Sequence, residues 1–216
     1  MRKQKIDLTK YCTLYIARHG ETDWNVKRII QGHKGVGLNK QGQKQVTKLA
    51  EKLKHVRFDA IFSSDLLRAK QTAEILALER KLAVITSKTL RERTLGSFDG
   101  KKIESYKKEL RDLLKKYSRL PEKEKFAYKL SNDIESDEEL ISRVITFLRE
   151  LSIANTGKNL LVVTHGGVLQ TLLIQLGYAK RRELPFGTVS NAAYIKLMSD
   201  GVDFFVEKVS GVNVKR

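Results

Sequence analysis

The chain has 216 residues, 41% hydrophobic and 31% charged with two prolines, the composition of one globular unit with a sizeable core. A formal charge of +17 favours anionic ligands. Runs such as KKELRDLLKKYSRLPEKEKFAYK nevertheless mix both signs, and Tyr106, Tyr117 and Phe126 show no base-stacking spacing, so lysines on solvated helix faces explain the charge better than a nucleic-acid partner. Cys12 is the lone cysteine and excludes an internal disulfide. The opening MRKQKIDLTKY lacks the apolar centre of a signal peptide, and no run approaches the roughly 18 apolar residues of a spanning helix. The expectation is a cytoplasmic protein without membrane contact.

In chain order, CTLYIAR predicts a strand, residues 41–53 a helix, DAIFSSD a strand, residues 66–78 a helix and KLAVITS a strand. Residues 101–128 read as helix-rich. Residues 137–151 form an amphipathic helix with Leu140, Val144, Phe147, Leu148 and Leu151 on one face, opened by Ser136 as N-cap with Glu139 completing a capping box. NLLVVTHGG is a buried strand, residues 168–176 a helix, and AAYIKLM and DFFVEKV are closing strands across an SDG turn. This alternation predicts an α/β three-layer sandwich, a mostly parallel central sheet flanked by helices. Residues 1–216 read as a single domain, with about 101–130 a helical cap insert; YIKLM is a candidate edge strand for pairing in a monomer or homodimer.

Ligands of open α/β sheets bind beyond the carboxyl ends of the strands. Three apolar runs end there in polar residues: Arg18-His19-Gly20, Ser63-Ser64-Asp65 followed by Arg68, and Thr164-His165-Gly166-Gly167. Arginine forks bind phosphate oxygens bidentately and an imidazole can attack phosphorus. Gly20, Gly166 and Gly167 let backbone approach a ligand or turn into a helix whose first amides favour an anion.

ARHGETDWN, followed in order by SSDLLRAKQTAEIL, LRERTLGSFDGK, ESDEELISRV and VVTHGGVL, resembles the histidine phosphatase superfamily, which includes cofactor-dependent phosphoglycerate mutases and broad-specificity phosphatases. The resemblance implies a phosphoglycerate mutase-like fold and a small-molecule phosphate ester as substrate. His19 is then the nucleophile, and Arg18, Arg68 and His165 hold the phosphoryl group, His165 as a charged donor. Glu92 is the general acid and then the base for water. Asn25, Thr22, Gln31 and Gly166 join the substrate-binding set, and Ser63 lines the pocket. His19 must attack as neutral imidazole, with the Gly20 carbonyl on its other nitrogen. No metal and no cofactor is implied; no His or Cys pair has zinc spacing.

Ordinary roles compete with these. His33 and His55 read as polar residues outside the site, Arg68 has Asp65 and Glu74 as possible ion partners, Glu92 stands between Arg91 and Arg93, and Arg143 reads as a helix-fixing residue. Gly35, Gly37 and Asn39 replace the Asp, Pro and Thr of the family's loop, which predicts a looser loop after the nucleophile. Leu95 and Gly167 stand where the mutases carry Tyr and Asn, so a phosphomonoesterase is favoured over a mutase. A basic binding or scaffold protein with a phosphate pocket is the alternative from another class. Lys101 and Lys102 are expected to favour multiply anionic substrates.

Overall fold

A computed structural model describes residues 7–78 and 80–215 of the chain; the MRKQKI part of the opening segment lies outside the described residues. Six strands form one sheet in the order β3-β2-β4-β1-β5-β6. They are β1 (Cys12–Arg18), β2 (Ala60–Ser64), β3 (Val84–Ser87), β4 (Asn159–Thr164), β5 (Val189–Ser199) and β6 (Phe204–Val212). β3, β2, β4 and β1 run parallel, β5 is antiparallel to β1, and β6 is antiparallel to β5.

Side-chain alternation along the buried strands divides the core between two faces. Leu14, Ile16, Leu160 and Val162 pack with α7 (Asp137–Ala154) and α8 (Gly166–Gln175). Ala17, Ile61, Leu161 and Val163 pack on the other face with α2 (Lys40–Lys52) and α3 (Leu67–Ala77). Helices on both faces are what buries the apolar run LLVV completely. The expected α/β sandwich is thus the observed fold.

α1 (Asp23–Val26) is a single turn after β1, and residues 103–127 form α4 (Ile103–Glu109), α5 (Arg111–Arg119) and α6 (Glu122–Ala127). Ile103 and Tyr106 of α4 and Leu114 of α5 pack on a separate apolar cluster of Ile30, Phe98, Leu110 and Ile134, whereas Phe126 of α6 packs on the core of the α7 face. The Ser136–Glu139 capping box opens α7 as expected.

The strand YIKLM is not an edge. β5 lies between β1 and β6, because the SDG turn folds β6 back along its outer side. β5 also begins earlier than AAYIKLM suggests; its pairing with β6 shifts register between Val189 and Tyr194, where Ala192 has φ +55°. The irregularity hides the strand's alternation and turns Asn191 toward the ends of the parallel strands.

Candidate active site

β1 and β4 are parallel neighbours with Arg18 opposite Thr164, so His19 and His165 leave the sheet side by side. Their ring centroids lie 5.2 Å apart. On the other side of β4, β2 delivers Ser64, whose hydroxyl oxygen is 2.9 Å from His165 Nε2. The first turn of α3 brings in Arg68, which is only 1% exposed; His19 is 2% exposed and His165 fully buried.

Two bonds assign the His19 tautomer. Its Nδ1 lies 2.7 Å from the Gly20 carbonyl, which can only accept, so Nδ1 carries the proton. Arg68 Nε donates to His19 Nε2 at 3.3 Å, and that nitrogen therefore presents its lone pair. Burial, then the charges of Arg68 and Arg18, push the His19 pKa well below its ordinary 6.5, so the imidazole is neutral. The helix behind it approaches backbone to backbone. A Cβ on Gly20 would stand 2.6 Å from the Gly42 carbonyl, and one on Gly42 would stand 2.1 Å from that of Glu21. Gly20 serves this close approach, since its φ lies outside the left-handed region.

Around this nitrogen the cationic groups are firmly held. Arg68 donates from Nη2 to the Gly32 carbonyl (2.8 Å) and from Nη1 to that of Lys34 (3.1 Å). It pairs with neither Asp65, which binds Arg91, nor Glu74, which faces Lys70. Burial lowers its pKa to about 10 against the opposing pull of Glu92. Arg18 donates from Nη1 to the Val189 carbonyl, and its Nε is buried without a partner. His165 Nδ1 is likewise buried and unpartnered. Both are polar atoms of the kind that a ligand oxygen satisfies. Burial, Arg68, His19, Arg18 and Arg143 together push the His165 pKa well below 6.5, so the charged form expected of it requires a bound anion as countercharge.

Glu92 is not part of an ion pair with its neighbours. Arg91 turns to Asp65 through two bonds of 2.7 and 2.6 Å, and Arg93 turns to Asp137. The Glu92 carboxylate instead accepts from the Gly167 amide (2.9 Å) at the start of α8 and from the Arg93 amide (2.8 Å). A Cβ on Gly167 would stand 2.5 Å from Glu92 Oε1.

Thr22, Asn25 and Gln31 stand together beside His19, largely as supports. Thr22 caps α1 and donates to Gln31 Oε1 (3.1 Å); Asn25 Oδ1 accepts from the Thr22 amide (3.1 Å). Ser63 donates to the Ser64 carbonyl (2.9 Å), a bond within β2. The loop after α1 is not loosened by its glycines. Arg68, Asp99, Glu92 and Gln71 anchor it at Gly32, His33, Lys34 and Leu38, and Asn39 caps α2 through the Gly42 amide. The bonds come from neighbouring elements, so the loop's own composition does not set its order. Lys101 turns away to Glu109 (3.4 Å) and the Phe98 ring, which removes it as a ready contact for a substrate anion.

Sequence reasoning placed Ser64 at the rim without giving it a partner, and missed Asn191, Thr72 and Gly42. Asn191 donates to the His19 carbonyl (3.2 Å) and to Asn25 Oδ1 (3.3 Å), while Thr72 accepts from the Gly20 amide (3.1 Å). A polar residue interrupting the apolar run VSNAAYI was the available signal for Asn191; Thr72 and Gly42 had none. His55 lies apart, in a basic cavity of about 490 Å³ with Lys54, Arg57 and Arg80. Among the described residues no cluster of three His, Cys, Asp or Glu side chains is arranged to hold a metal ion, and no helix is long and apolar enough to cross a membrane.

Known proteins share this arrangement of chain and fold. The pattern of the histidine phosphatase superfamily (branch 1) matches residues 14–210. A phosphoglycerate mutase-like protein of Arabidopsis thaliana is 37% identical over 164 residues, covering 75% of this chain and 70% of its own. A broad-specificity phosphatase of Saccharomyces cerevisiae is 34% identical over 213 residues, covering 91% and 84%. The solved structure of Bacillus stearothermophilus YhfR superposes with a TM-score of 0.81 at 28% identity, covering 93% of this chain and 97% of that one. With the two histidines, two arginines and Glu92 gathered at the strand ends, the chain belongs to the histidine phosphatase superfamily.

Proposed function

We propose that this enzyme hydrolyses phosphomonoesters of small metabolites through a phosphohistidine on His19. The observation that carries the reading is the His19 tautomer, with Nδ1–H on the Gly20 carbonyl and the Nε2 lone pair turned to Arg68. In the first step Nε2 attacks phosphorus, the P–O ester bond breaks, and protonated Glu92 gives its proton to the leaving oxygen. In the second, water attacks the phosphohistidine, Glu92 takes the water proton, and the P–N bond breaks to release phosphate. Arg18, Arg68 and His165 hold the phosphoryl oxygens throughout, with Asn25 and the Gly166 amide adding hydrogen bonds; Thr22 and Gln31 hold that corner of the pocket in place. Protein groups fill every role in this scheme.

The reading extends to the whole chain. Residues 1–216 act as one domain, with 101–130 as a cap that shapes the substrate's entry. Its setting is the cytoplasm, as a monomer or homodimer, with no nucleic-acid partner. A phosphoglycerate mutase is the second reading, supported by the likeness to the Arabidopsis protein. Leu95, in place of the mutase tyrosine, and Gly167, which seats Glu92, favour the hydrolase.

The test is phosphate release from p-nitrophenyl phosphate, phosphoserine, sugar phosphates and 3-phosphoglycerate in EDTA. The expected outcome is hydrolysis by the wild type and a loss of about 10³-fold or more in His19→Ala, with a smaller but large loss in Glu92→Ala. Phosphoglycerate interconversion only on addition of 2,3-bisphosphoglycerate would make the protein a mutase. Neither activity would leave a phosphate-binding protein.

A further inference from the structure

We infer that His33 is a positioning residue for Glu92, linking the loop held by Arg68 to the proton-transfer step; this rests on the phosphohistidine reading above. His33 Nε2 lies 2.8 Å from the Glu92 carbonyl, which can only accept, so this nitrogen donates. Arg143 Nη2 donates to the same oxygen at 3.3 Å from the α7 side. The Glu92 peptide is thus gripped from two directions, while its carboxylate is seated on the Gly167 and Arg93 amides.

The backbone that carries His33 is fixed with equal care. Its amide donates to Asp99 Oδ2 (3.1 Å), and the carbonyls on either side, of Gly32 and Lys34, are the two that Arg68 binds. Asp99 in turn accepts from the Leu95 amide (3.1 Å), three residues beyond Glu92. One short loop therefore touches Arg68, which binds His19, and the residue assigned to protonate the leaving group. The arrangement makes the orientation of the Glu92 peptide depend on the same segment that orders the phosphate pocket. Arg143 also binds the Thr89 carbonyl (2.5 Å) and Glu135, and so has a structural role of its own; His33 is exposed and its ring has no comparable load.

A misplaced general acid penalises a poor leaving group more than a good one, because p-nitrophenolate departs without a proton and an alkoxide does not. The experiment measures kcat/KM, which reports phosphoryl transfer to His19, for phosphoserine and p-nitrophenyl phosphate in wild type, His33→Ala and His33→Gln. Loss of one hydrogen bond predicts a drop of about three- to tenfold for phosphoserine in His33→Ala and less than about twofold for p-nitrophenyl phosphate. His33→Gln, which keeps an N–H donor, recovers most of the loss. Thermal unfolding of each variant confirms an intact fold. Equal losses for both substrates, or no loss for either, would overturn the role of His33. A wild type that hydrolyses neither substrate would remove the phosphatase reading and this inference with it.

Discussion

The pocket at the strand ends and the three short helices of residues 103–127 are built on opposite principles. In the pocket, His19, Arg68 and His165 are buried and tied to groups from distant parts of the chain: the Gly32 carbonyl, Ser64, and through the His19 amide the carbonyl of Thr164. α4, α5 and α6 contain no fully buried residue. They are tethered by pairs that reach solvent, such as Lys101–Glu109, Arg181–Glu122 and Arg28–Glu104. Surface pairs contribute about 0–1 kcal/mol each, whereas an unsatisfied buried donor costs about 1–3 kcal/mol. The difference teaches that the pocket is locked to the sheet, while the helices can change sequence without disturbing the groups gathered at the strand ends.

The most damaging way to break this contrast is Gly42→Val. A branched side chain must displace the Glu21 carbonyl and move α2 off the backbone next to His19, so both stability and kcat should fall. The expected loss is about 2–3 kcal/mol in chemical denaturation, the scale of overpacking in a core. An unchanged midpoint would show that α2 does not need this backbone contact.

The next effect is in pH. Because the His19 and His165 pKa values are pushed well below 6.5, both rings stay neutral as the folded pH falls, but they take up protons on unfolding. The unfolded state then binds more protons, and stability drops as pH falls below 6.5. Glu122 has the same sense in a lower pH window. Lys125 and Arg181 hold its pKa below the ordinary 4.5, so its contribution is present above that value and lost only as pH falls through the lower folded pKa. Between pH 6.5 and 5, a denaturation series should therefore show the pocket's loss with the helix ties intact. The acid limb of kcat/KM should also lie well below 6.5, since a neutral His19 attacks. An acid limb centred on 6.5 would contradict the burial and arginine fields described here.

Arg181→Ala should have the smallest effect. It removes ties from Arg181 to Asp137 and Glu122, leaving Asp137 bound by Arg93. The expected cost is about 1 kcal/mol in global stability. Faster amide exchange in residues 122–127, with kcat for p-nitrophenyl phosphate within about twofold of wild type, would sharpen the division between pocket and helices. A large loss of kcat would join the two regions.

Much of this molecule is legible along the chain. Apolar runs ending in Arg18-His19-Gly20 and Thr164-His165-Gly166 located the pocket because strand alternation and polar punctuation are local signals. The same locality gave the Ser136 cap and the His19 tautomer, since Gly20 is the residue next to His19. The ordered motifs carried the likeness to the superfamily. What sequence reading assigned to β5 failed at YIKLM, because an interior position depends on where β6 lands, and the contact of the His33 ring with the Glu92 carbonyl, 59 positions along the chain, had no local signal.

The sequence by itself determined most of the elements and the sandwich, because these depend on periodicity and on neighbours in the chain, while the ordered motifs singled out Arg18, His19, Arg68, Glu92 and His165 through the family resemblance. Only the tertiary structure decided that Arg68 reaches His19, that Asn191 holds its carbonyl, that α2 packs through Gly42, and that His33 meets Glu92. Those contacts join segments far apart in sequence. Their partners are chosen by packing and by the need of buried polar groups for bonds, neither of which any single stretch of chain encodes.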